Sequence, residues 1–192
     1  MVPAPHDPWP ERDPLLGALL RRRIVLVSGL LTNDLATSVA AQIMALDAED
    51  DDAIELHIAS PDGDLDAALM LADTVDLASS SVTAVCRGAL GGPALGPLAA
   101  AQRRVAHPHA TFRMSDARIS LSGRADEVAV HAAALQQQVA HLHGRLAAAT
   151  GQPASKIAAD LRQGLILSAD QARDYGLVHE VARGADRSSR SP

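Results

Sequence analysis

The sequence predicts an α/β fold in which repeated βα units build a largely parallel sheet, and three observations carry that reading. First, short strand-like stretches at 24–27, 54–58 and 82–86 are each followed, after a turn, by an apolar stripe at helical spacing. Second, apolar residues make up 47% of the chain but aromatics only 2%, so the core is packed from Ala, Val, Leu and Ile, which suits helices lying close on strands. Third, 192 residues suffice for one sizeable core. We therefore expect one domain over 15–182, between a proline-rich arm at 1–14 and a Ser/Arg tail at 183–192.

Taken in order, 15–22 has the pattern of a short helical turn, and 24–27 reads as a buried strand ending at Ser28-Gly29. Thr32 offers an N-cap for a helix whose apolar positions are Leu35, Val39, Ile43, Met44 and Leu46; the acidic run at 49–52 ends it as a solvated loop. In the second unit, 54–58 alternates like a strand, Ser60-Pro61-Asp62-Gly63-Asp64 is a turn, and 65–77 is helical. The third begins with 82–86 and continues through a glycine-rich bend into a helix to about Gln102. Val105, 111–114 and 118–121 read as shorter strands. The longest helical pattern covers 126–149, with Asp126 and Glu127 at its positive end. Gly151-Gln152-Pro153 breaks it. A shorter helix then leads to a strand at 165–167, a helix capped by Ser168 and stopped by Gly176, and a last strand at 178–181.

Composition excludes several classes. A net charge of −6, with no basic run longer than Arg21-Arg22-Arg23, argues against a nucleic-acid surface. No segment approaches the roughly 18 apolar residues of a membrane span, and the N-terminus lacks a basic-then-apolar signal pattern. The lone Cys86 cannot form an internal disulfide, which fits a reducing compartment, and a cytoplasmic location is expected. Cys86 reads as a small buried side chain, since a reactive thiol wants an exposed, electropositive setting. His131, His141 and His143 lie on the long helix, but their spacing does not set them on one face as metal ligands.

The stretch from Cys86 to Pro97 places four glycines (88, 91, 92 and 96) between a strand and a helix start. Such a bend presents an atom at a helix N-terminus, where an active-site nucleophile often sits. Here it presents none: Gly92 has no side chain, and Pro93 has no N–H for an oxyanion.

The order of these elements, with Ser60-Pro61-Asp62-Gly63, Cys86-Arg87-Gly88, Gly151-Gln152-Pro153 and the ending Leu167-Ser168-Ala169-Asp170-Gln171-Ala172-Arg173-Asp174-Tyr175-Gly176-Leu177-Val178, resembles the ClpP family, the proteolytic subunits of Clp proteases. The resemblance implies a ClpP/crotonase-like fold with a protruding handle helix at 126–149. It also implies heptameric rings stacked face to face and fed by an ATP-driven unfoldase. Members of the family cut peptides with a Ser-His-Asp triad. By the resemblance the nucleophile's position, after Gly88-Ala89-Leu90-Gly91, is Gly92. The general base's position, at the end of Pro108-His109-Ala110-Thr111-Phe112-Arg113-Met114, is Ser115, and the aspartate's is Gly164. The oxyanion-hole positions are Gly63, which keeps its N–H, and Pro93, which has none.

A missing nucleophile costs on the order of 10⁶ in turnover in a serine protease, and a missing oxyanion donor roughly 3 kcal/mol of transition-state stabilisation. Ser115 is no base near neutral pH. The resulting expectation is a catalytically inactive subunit, without cofactor or metal, that joins or regulates a ring of ClpP-like paralogues as a homo- or hetero-oligomer. Two alternatives stand beside it. One is a peptidase active through displaced residues, drawn from Ser60, Ser115, Ser120 and Ser122 with His107, His109 or His131. The other is a crotonase-type acyl-CoA binding protein. Glu55 and His57 stand where family members carry aromatic residues of the unfoldase docking pocket, which weakens docking of a Clp ATPase.

Overall fold

The computed structural model describes residues 14–117 and 125–183. In chain order the elements are α1 (Pro14–Leu20), β1 (Ile24–Ser28), α2 (Asn33–Glu49), β2 (Ile54–Ala59), α3 (Leu65–Leu77), β3 (Val82–Cys86) and β4 (Ala89–Gly91). A 3-10 turn (Gly92–Ala94) leads into α4 (Leu95–Ala100), β5 (Arg103–Ala106) and β6 (Thr111–Arg113). The chain continues with α5 (Ala125–Thr150), α6 (Ala154–Gln163), β7 (Ile166–Ser168), α7 (Ala169–Tyr175) and β8 (Glu180–Val181). The strand expected at 118–121, Ser120 and Ser122, the arm before Pro14 and the tail beyond Arg183 lie outside the described residues.

The expected α/β class is the one observed. Five parallel strands form the main sheet in the order β1-β2-β3-β5-β8. Because β1, β2, β3 and β5 follow one another in chain order, every crossover steps the same way, and the helices between them fall on one face. Burial records this. Val25, Leu56, Ala84 and Arg104 are in register and buried on the covered face, while the next residues, Leu26, His57, Val85 and Val105, are half-buried on the other. The core is almost wholly aliphatic, with Phe112 its one fully buried aromatic among the described residues.

Local chemistry sets the ends of elements. Thr32 Oγ1 accepts the Leu35 N–H at 3.3 Å and caps α2. Ser168 and Gln171 form a reciprocal capping box on α7, which stops at Gly176 with φ 91°. In α5, which matches the expected handle, no residue from 131 to 141 is buried. Leu142 and Leu146 bury its C-terminal half, and Arg145 ties it to Asp73 and Asp76 of α3.

Two readings are corrected. The glycine-rich bend contains strand β4, which pairs parallel to β6 in a second, three-stranded sheet of order β4-β6-β7. Three residues with two flanking glycines carry no period by which to recognise a strand. The following helix ends at Ala100 rather than near Gln102. The acidic run after α2 is exposed, as expected, and its backbone also wraps a cation. Arg23 Nη2 donates to the carbonyls of Asp50 (3.3 Å) and Asp52 (2.8 Å), and Nη1 donates to Leu46 (3.1 Å) and pairs with Asp50.

A second arginine closes the other end of the sheet. Arg104, 7% exposed, donates through Nε to Leu177 O (3.0 Å), through Nη1 to Ala101 O (3.3 Å) and through Nη2 to Ala149 O (2.8 Å) and Gly176 O (3.4 Å). It thereby collects carbonyls from the C-terminal ends of α4, α5 and α7, where the helix dipoles favour a cation. Burial depresses its pKa from the ordinary arginine value.

Arg104→Met should lower stability by at least about 3 kcal/mol, because it strips charged hydrogen bonds from several buried carbonyls; thermal melting should show a Tm lower by roughly 6–12 °C. Asp47 gives a pH signature. The N–H groups of Ser80 (2.7 Å) and Ser79 (3.2 Å) donate to its carboxylate and hold its pKa below the ordinary 3.8. Its stabilisation is therefore present above about pH 4 and is lost as pH falls through the depressed folded value. Asp47→Asn should be less stable than the parent at neutral pH, and acid denaturation series should show that gap narrowing below about pH 4.

Candidate active site

The small sheet assembles the candidate site. Leu90, Phe112 and Leu167 are in register across β4, β6 and β7, and all three are buried. Side chains alternate along a strand, so this row fixes Gly91, Arg113 and Ile166 on the opposite face. On that side Gly91 lies against the Ser60–Gly63 turn. Its N–H donates to Ser60 O at 3.0 Å, and a Cβ there would stand 2.8 Å from Pro61 O, which only glycine permits.

The positions that the resemblance assigns to the triad meet at one end of this sheet. Gly92 follows β4 at the start of the 3-10 turn with φ +56°, a left-handed conformation at a strand-to-helix turn of the kind that lifts a nucleophile into a cleft. Ser115 lies just past β6, and its Oγ is 3.5 Å from the point where a Cβ of residue 92 would be. Gly164 ends α6 with φ +71° just before β7. The next carbonyl, that of Leu165, accepts the Met114 N–H at 2.8 Å and holds Gly164 beside the end of β6. No atom lies within 4 Å of a Cβ built on Gly164.

Of the two oxyanion-hole positions, Pro93 is buried in the 3-10 turn, a first-turn place that proline fits. The Gly63 N–H is already engaged: it donates to Asp62 Oδ1 at 3.0 Å. Asp62 Oδ2 in turn accepts from Arg113 Nη2 at 3.0 Å, and Arg113 also donates to Pro61 O at 2.9 Å. The backbone beneath is stitched in place, with Asp62 O accepting from Ser60 Oγ (2.9 Å) and from the Leu31 N–H (3.1 Å). A Cβ on Gly92 would collide with Asp62 Oδ1. Sequence reading treats Asp62 only as a turn residue and Arg113 only as an alternating strand position. The available signal was a pair of unlike charges, one beside Gly63 and the other two residues before Ser115.

Among the other candidates, Ser60 is buried and its hydroxyl is spent on the turn. His107 and His109 lie in the connection from β5 to β6, and His131 is exposed on α5. His143, expected as an exposed helix residue, is half-buried, and its Nε2 is 2.9 Å from Asp116 Oδ1. Among the described residues no serine hydroxyl is hydrogen-bonded to a histidine. Glu55 and His57 lie on the half-open sheet face and pair at 2.9 Å, with His57 Nδ1 buried and unpartnered. No helix among the described residues is long and apolar enough to cross a membrane.

A singly wound parallel sheet carrying a small second sheet and a long, half-docked helix defines the α/β class of this chain. Comparison with known proteins agrees. The Clp protease family profile matches residues 11–185. Proteins named "ATP-dependent Clp protease proteolytic subunit" from three strains of Dehalococcoides mccartyi are each 35% identical over 166 residues, covering 85% of this chain and 83% of the relative. The chain belongs to the Clp protease family.

Cys86, the nearest thiol to the bend, is fully buried and donates to Gly88 O at 3.4 Å, and burial pushes its pKa up to about 12. Native protein should therefore resist Ellman's reagent and react with one thiol per chain only after denaturation; rapid labelling of the folded chain would contradict this.

Proposed function

We propose that the chain is a ClpP-like subunit without peptidase activity, which joins or regulates a ring of active paralogues. One observation carries the reading. The strand-to-helix turn keeps the left-handed conformation of a nucleophile turn at Gly92, and no oxygen or sulfur stands on it. An acyl-enzyme has no atom on which to form there. The neighbouring losses point the same way: Pro93 lacks an N–H, Ser115 replaces a base, and Gly164 offers no carboxylate. The scaffold over 15–182 would serve assembly, with 1–14 and 183–192 as its arm and tail, in the cytoplasm. The handle helix and ring faces would then be the working surfaces, and Glu55 and His57 would disfavour direct docking of an unfoldase.

A specific observation favours a second reading, a peptidase working through displaced residues. The His143–Asp116 pair adjoins Ser115 in the chain and has the geometry of a base with its orienting carboxylate. Ser115 Oγ, however, faces residue 92.

Purified chain should leave a fluorogenic peptide uncut, and native mass spectrometry of the chain mixed with a triad-bearing paralogue should show mixed rings. Separate species under all mixing conditions would sink the assembly claim. Hydrolysis abolished by Ser115→Ala or His143→Ala would establish the second reading instead.

A further inference from the structure

The loss of a side chain at position 92 has been filled from within the chain. We propose that the Asp62 carboxylate is the resident occupant of the emptied catalytic position: it takes the space of residue 92's missing side chain and the Gly63 N–H, with Arg113 as its counter-ion. The inference rests on the proposed reading of residues 92 and 63 as former nucleophile and oxyanion positions.

Two contacts fix the carboxylate: Oδ1 accepts the Gly63 N–H at 3.0 Å and Oδ2 accepts from Arg113 Nη2 at 3.0 Å. So held, Oδ1 stands too close to where a Cβ of residue 92 would be for the two to coexist. Both side chains are partly screened from water, with Asp62 22% and Arg113 35% exposed. Arg113 is itself braced by Pro61 O at 2.9 Å and projects from the face of β6 that the Leu90–Phe112–Leu167 row dictates.

An oxyanion site is an N–H donor aimed at developing negative charge. Here that donor is already engaged by the Asp62 carboxylate, which is paired in turn with Arg113. Rotating Asp62 away to admit a side chain at 92 would break the Gly63 bond and the Arg113 pair together. Glycine at 92 is therefore favoured by its neighbour as well as by its positive φ, and returning a side chain to position 92 alone does not recreate a usable site.

A double-mutant cycle tests this directly. Gly92→Ala should lower Tm by several degrees in the parent, through backbone strain plus collision with the carboxylate. In an Asp62→Gly background the same substitution should cost markedly less, since only the strain remains. Asp62→Asn keeps the bulk and removes the charge, so in that background most of the loss should persist. Equal losses in all three backgrounds, or full relief by Asp62→Asn, would overturn the proposal. Should Gly92→Ala yield no soluble protein, the Asp62→Gly/Gly92→Ala chain should still fold, and its failure to do so would also overturn it. The outcomes separate cleanly from the functional reading. Peptide hydrolysis by the parent would sink that reading and leave the coupling untouched, whereas additive effects would sink the occupancy alone.

Discussion

The row of Leu90, Phe112 and Leu167 across the small sheet is the contact on which the candidate site depends. Each side chain is buried and faces its neighbour in register, and burial of such residues stabilises by about 1.5–3 kcal/mol apiece. A strand that slips by one residue turns its whole apolar set outward, so this row sets the register of β4 against β6 strongly. Once it is set, Gly91 must face the Ser60–Gly63 turn, Arg113 must lie beside Asp62, and residues 92 and 115 must meet. The geometry of a nucleophile site is thus enforced by apolar packing and does not need the reacting groups to be present.

That separation makes the framework independent of which side chains stand at residues 92, 115 and 164. The main sheet is held by the α2 and α3 side of its core, and its far end is tied by Arg104, which gathers carbonyls from the C-terminal ends of three helices. None of these contacts involves residues 92, 115 or 164. The scaffold therefore does not lean on the side chains at those positions, and Asp62 and Arg113 pair beside them at 3.0 Å. A chain of this fold keeps its shape whether or not it cuts.

Much of the fold could be read from the residues because its signals are local. Thr32 and Ser168 cap the helices they were expected to cap, and the three βα units follow the apolar spacing. β4 was hidden because a three-residue strand has no period, and its pairing with β6 is a long-range event. The partners of Arg23, Arg104 and Arg113 were hidden for a related reason. Backbone carbonyls leave no mark in composition, and Asp62 and Arg113 are 51 residues apart in the chain. At the site, positions 92, 115, 164 and 93 are assigned by the family resemblance, whereas the occupation of the Gly63 N–H required the turn in three dimensions.

The central claim is that no atom of this chain forms an ester with a serine-directed reagent. Intact-mass spectrometry after exposure of the native protein to a fluorophosphonate tests it most directly. The account predicts an unchanged mass at reagent concentrations that fully label a triad-bearing relative. Stoichiometric addition of one phosphonyl group per chain, mapped to any serine, would contradict it.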